Sequence, residues 1–140
     1  MAIQRIIFIL SACVLLNLAI SFALPQPVLR SGGVRNMSVD DPNVKRVAEA
    51  TLRKLRSQHQ GDRALMLVEI EMATYQVVAG AKYHLHLKVG ESHCAKNKYT
   101  RMCRLDEGRP LLACGSKIWE KRWINFMEIN VHCNNYDGSI

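Results

Sequence analysis

Two runs of alternating polarity meet at a glycine near the middle of this 140-residue chain. Upstream, Val68, Ile70 and Met72 alternate with Glu69, Glu71 and Ala73; downstream, Tyr83, Leu85, Leu87 and Val89 alternate with Lys82, His84, His86 and Lys88. A period of two places successive side chains on opposite faces, so each run predicts a half-buried strand. Gly80 at the junction accepts the positive φ that tight turns often need, and the pair predicts a β-hairpin. The junction itself is unusual. Val77, Val78 and Ala79, between Gln76 and Gly80, are apolar where a turn is normally polar. Either the first strand runs on with these residues against a core, or they form an apolar wedge in solvent, which marks a binding surface.

A half-buried sheet needs a covering layer, and the segment before the hairpin supplies one. Asp41 can cap free amides and Pro42 suits the first helical position. Val44, Val47, Ala48, Thr51, Leu52 and Leu55 follow at spacings of three and four, with Lys45, Arg46, Glu49, Arg53, Lys54 and Arg56 opposite. This predicts an amphipathic helix of about four turns that fades before Gly61. Its basic face would also suit a membrane surface; packing on the sheet is the simpler use of the stripe. Leu111 to Trp119 and Ile124 to Cys133 are two more strand-like runs, the second with Met127, Ile129 and Val131 on one face. Leu24 to Asn36, with Pro25, Pro27, Gly32 and Gly33, has no periodicity and reads as an extended arm. Gly90 to Pro110 reads as a loop.

The first residues have the pattern of a secretory leader. Arg5 precedes a mostly apolar run from Ile6 to Phe22, and Ser21-Phe22-Ala23 offers small residues for cleavage after Ala23. The run approaches the length of a membrane span, but the small-residue site and Pro25 favour removal, which leaves residues 24–140 as one domain. Cys13 goes with the leader. Cys94, Cys103, Cys114 and Cys133 remain, and an even count in a secreted chain argues for two disulfides with three pairings open. A zinc site is disfavoured, since there is no C-x-x-C pair. The formal net charge of +7 is dispersed, so it attracts acidic partners weakly. No nucleic-acid motif is present and no membrane segment remains in the mature form. Asn36-Met37-Ser38 is an N-glycosylation sequon.

Gln76-Val77-Val78-Ala79-Gly80 in the first hairpin of a small secreted domain resembles the motif of the cystatins, reversible inhibitors of papain-like cysteine proteases. The resemblance runs from about Gly32 to Cys133 and is to the secreted, disulfide-bonded type-2 branch. It implies an α+β fold, a four- to five-stranded antiparallel sheet wrapped around one long helix. It also implies the pairing Cys94–Cys103 and Cys114–Cys133. With Cys114 opposite Cys133, the last turn centres between Trp123 and Ile124, and the family's spacing makes Trp123 the second-hairpin tryptophan. Gly32 matches the family's arm glycine. The implied mechanism is steric. Gln76, Val77, Val78, Ala79, Gly80 and Trp123 would form a wedge in the protease cleft, and Gly32 would let Leu29, Arg30 and Ser31 pass into the substrate pockets. A Trp folded back on the sheet is the alternative for Trp123, and the expected state of Trp119.

Four positions depart from the family pattern. Arg122 stands where Pro usually precedes the second-hairpin Trp, at a cost in turn rigidity and with an added charge. Arg30 and Ser31 replace apolar arm residues. Gln60 occupies the position of an Asn that gives some members activity against legumain, so that activity is not carried over. The chain is expected to be no enzyme, because paired cysteines leave no thiol for a Cys–His nucleophile, and to need no cofactor. His84 and His86 share a strand face and could ligate a metal; two solvent-facing histidines without a third ligand is the plainer reading. The rival to inhibition is a cystatin-fold binding or antimicrobial module, favoured by the net charge and Arg122. The chain reads as a monomer, with hairpin exchange between copies as the route to a dimer.

Overall fold

The computed structural model describes residues 32–136. The predicted leader over residues 1–23 and the arm residues Leu29, Arg30 and Ser31 lie outside them. Five strands, β1 (Val34–Asn36), β2 (Arg63–Val78), β3 (Gly80–Ala95), β4 (Leu112–Lys121) and β5 (Phe126–Asn135), form one antiparallel sheet in that order. Among the described residues a single α-helix, α1 (Pro42–Gln58), covers one face. Asp41 caps it, its carboxylate accepting from the Asn43 amide at 2.7 Å, with Pro42 in the first turn. Val44, Val47, Ala48, Thr51 and Leu52 are buried, and Leu55 packs beside them. Against them lie Leu85, Leu87 and Val89 of β3 and Ile118 of β4, all at most 1% exposed. Thr51 and Ser116 satisfy each other inside this core, hydroxyl to hydroxyl at 3.0 Å, as buried polar groups must.

The sequence pattern is overturned in β2. Val68 and Met72 are exposed, at 40% and 42%, whereas Ala73 is 2% exposed. Two irregularities in the ladder explain this. Leu67 pairs with Val89 and Glu69 with Lys88, leaving Val68 unpaired; Ile70 pairs with Leu87 and Met72 with His86, leaving Glu71 unpaired. Each extra residue flips the side-chain phase. Uninterrupted alternation predicts Val68, Ile70 and Met72 inside together, but only Ile70 packs on the core. Glu69 and Glu71 stay on the surface and share Lys88, at 3.1 and 3.3 Å.

Four boundaries also move. Val34–Asn36 is a strand on the β2 edge, so the arm ends earlier than the predicted residue 36. The predicted loop from Gly90 begins later, because β3 continues to Ala95, which pairs with Arg63. β4 runs past Trp119 to Lys121, and β5 starts at Phe126 rather than Ile124. Cys94–Cys103 and Cys114–Cys133 are disulfide-bonded, the latter across the β4–β5 ladder. The fold class is the expected α+β arrangement with five strands.

Candidate functional site

The β2–β3 hairpin outruns the helix. Tyr75, Val77, Ala81 and Tyr83 share the helix-side face of the sheet; Tyr83 is buried, but among the described residues the face opens to solvent toward the tip. Val77 is 49% exposed as a result. Both sequence readings of the tip are therefore partly right: β2 does run on to Val78, and its last residues face solvent. A groove of about 700 Å³ lies here, lined by Tyr75, Val77, Ala79, Asn43, Arg122 and Trp123 among others.

Ala79 alone joins the two strands, since Val78 pairs with Gly80. Gly80 has φ +112°, a region that side chains disfavour. A Cβ there would also lie 2.3 Å from the Glu120 carbonyl oxygen of β4. Glycine is thus required by the neighbouring strand as well as by the turn. Trp119 braces the same point, its indole Nε1 donating to the Ala79 carbonyl at 3.1 Å. The ring lies back on the sheet, edge-on to Phe126 at 5.7 Å.

The second tip closes over Arg122–Ile124 and Asn125, which takes the left-handed conformation at φ 50°. Lys121 pairs with Phe126, so the turn centres between Trp123 and Ile124. Trp123 is 68% exposed and Ile124 61%. An indole left in solvent to this extent is available for contact.

Arg122 supplies a brace where proline is absent. Its guanidinium lies 3.3 Å from Glu120 Oε2 and donates to Asn43 Oδ1 at 2.7 Å. Arg46 donates to the same carboxylate at 2.7 Å. Glu120 is only 6% exposed, and a buried carboxylate needs such partners. The network ties the second hairpin to the start of α1. Burial, and then Glu120, pushes the nearby Tyr83 phenol above its ordinary range. Sequence reasoning missed Glu120, Asn43 and Arg46. The usable signal was the phase of β4: Cys114, Ser116, Ile118 and Glu120 recur at period two and are all buried.

Gly32 lies beside the first hairpin. Its carbonyl accepts from Gln76 Nε2 at 2.7 Å, and Val34 pairs with Gln76. Gly32 has φ +101°, yet nothing lies within 4 Å of its absent Cβ. Its glycine character answers to the backbone, not to crowding. Gly32, Val77–Ala79 and Trp123 thus project from one end of one sheet, while Asn36 is exposed on the outer strand. The four described cysteines are bonded, so this end offers no thiol. It offers apolar area on a braced frame.

A cystatin domain model matches residues 32–132. The chain belongs to the cystatin family. This is a family of protease inhibitors rather than enzymes. This cystatin is 29% identical over 104 residues to cystatin cpi-2 of Brugia malayi, covering 71% of this chain and 65% of the relative, so it spans under two thirds of that protein's length. It is 31% identical over 121 residues to a cystatin of Pseudonaja textilis, covering 79% of this chain and 86% of that one. Among solved structures, that of Al-CPI matches with a TM-score of 0.69 at 29% identity, covering 75% of this chain and 100% of Al-CPI.

Proposed function

We propose that this cystatin is a secreted, reversible, tight-binding inhibitor of papain-like cysteine proteases. The observation that carries the reading is the shared direction of three apolar or side-chain-free features, Gly32, Val77–Ala79 and Trp123, at one end of the sheet. The two tips enter the cleft on either side of the catalytic cysteine, and the residues before Gly32 occupy the substrate pockets. No peptide bond of the inhibitor needs to be placed for attack, so the block is reversible. Gly80, Trp119 and the Glu120 network hold the tips before binding, which limits the entropy lost on association. Leu29, Arg30 and Ser31 make the arm selective: a guanidinium without a partner is costly in a dry pocket, so Arg30 favours enzymes whose pocket holds an acid.

The leader over residues 1–23 and the two disulfides support an extracellular location, and the exposure of Asn36 makes its sequon accessible to glycosylation. Titration of a papain-like endopeptidase with the purified protein tests the reading. Stoichiometric loss of activity, regained on dilution, is expected. Full activity at saturating protein would favour the non-inhibitory binding module instead.

A further inference from the structure

The sheet face turned away from α1 carries a second surface that the wedge does not use. Its three central rungs are in register: His86–Gly115–His132, His84–Lys117–Asn130 and Lys82–Trp119–Glu128. Residues opposite one another share a face, and two-residue steps put the rungs about 7 Å apart. Gly115 has nothing within 4 Å of its absent Cβ, so β4 forms an open floor between β3 and β5. Two adjoining hollows of about 360 and 220 Å³ follow this floor and share His84, Lys117 and Asn130.

The cations of this groove, Lys82 and Lys117, outnumber its carboxylates. Several cations elsewhere are matched: Lys88 by Glu69 and Glu71, Arg46 and Arg122 by Glu120, Arg109 by Glu91. None of the ion pairs among the described residues uses Lys82, Lys117, His84, His86 or His132. Glu128 is the one carboxylate at the groove, and it accepts from Asn130 at 3.0 Å. We infer that this groove binds a linear sulfated polysaccharide, with Lys82, Lys117 and the histidines on successive anionic groups and Asn130 on the sugar hydroxyls.

The shape and chemistry select this occupant. Cations on repeating rungs along a trough match a chain of fixed anions better than one small ion. Among the described residues no three histidine, cysteine or carboxylate side chains are grouped to hold a metal. Bases would need a free aromatic face, but Trp119 is taken by Lys121 at 4.0 Å, Lys82 at 5.6 Å and Phe126. A membrane would meet a recessed trough, with Trp123 and Ile124 at the hairpin tip and not on its floor. The charged groups that face the histidines are Lys82, Lys88, Lys117, Lys121 and Glu128, with Glu69 and Glu71 held by Lys88.

Binding of the intact disulfide-bonded protein to a heparin hexasaccharide, measured by titration calorimetry, tests the assignment. Its desulfated counterpart, a single-stranded oligonucleotide and phosphatidylserine vesicles are the comparisons. The sulfated sugar should bind best, and less tightly at high salt. Lys117→Ala and the pair His84→Gln/His132→Gln should each weaken it by about tenfold. Gly115→Val removes no charge but fills the floor, and should also weaken it by about tenfold at unchanged melting temperature. Absence of binding, equal binding of the desulfated sugar, or tighter binding of vesicles or oligonucleotide overturns the proposal. So does a Gly115→Val protein that folds and binds like the wild type, because the charge would then act without the groove. Protease titration is read separately, and none of these outcomes depends on it.

Discussion

The Gln76 side-chain amide donates to the Gly32 carbonyl at 2.7 Å, so a residue inside the hairpin motif holds the glycine that opens the described domain. Gln76 is half-buried and turned toward β1, so its expected role includes positioning Gly32. Gln76→Ala should weaken protease inhibition by about 1 kcal/mol with little change in stability. In a chain truncated before Gly33 the same substitution should change nothing. Inhibition constants for the two single changes and their combination give the test. An equal loss in the truncated chain would mean that Gln76 touches the protease itself.

Trp123 separates binding from stability. With 68% of its surface exposed it holds little of the fold together. Trp123→Ala should weaken inhibition by about 2 kcal/mol or more and leave the melting temperature in place. A large fall in melting temperature with unchanged inhibition is the contrary result.

Two glycines with positive φ should respond differently. Gly32→Ala adds a Cβ that meets nothing, so its cost is the backbone strain alone, about 1–2 kcal/mol and local to the arm. Gly80→Ala adds the same strain and a Cβ 2.3 Å from the Glu120 oxygen. β4 must shift, and the Trp119–Ala79 bond is lost with it. Urea unfolding should show Gly80→Ala clearly less stable than Gly32→Ala; equal midpoints would mean that β4 yields freely.

Glu120 holds two guanidinium groups at 2.7 and 3.3 Å. Both arginines are partly exposed, which discounts the loss. Glu120→Gln should cost about 1–2 kcal/mol. Arg122→Pro restores a stiff turn but releases Glu120 and Asn43. A double-mutant cycle of these two changes, read by urea denaturation, should be non-additive. Additive effects would show that Arg122 gains nothing from the carboxylate.

What could be read from the sequence was local or arithmetical. The stripe from Val44 to Leu55, the Asp41-Pro42 start and the alternation from Tyr83 to Val89 depend on fixed periods of helix and strand. The place of Trp123 followed from counting inward from two cysteines, because an antiparallel ladder keeps that count as long as it has no bulge, and β4–β5 has none. The extra residues at Val68 and Glu71 broke the same reasoning in β2, since a bulge is a property of a pair of strands and leaves no mark in one of them. The tertiary structure alone decided why Gly80 cannot carry a side chain, what Arg122 does in place of proline, and where Gln76 points. Each depends on an atom supplied from far along the chain: the Glu120 carbonyl, the Asn43 amide oxygen and the Gly32 carbonyl. Sequence periodicity reports which face a residue shows, and only packing determines what stands against it.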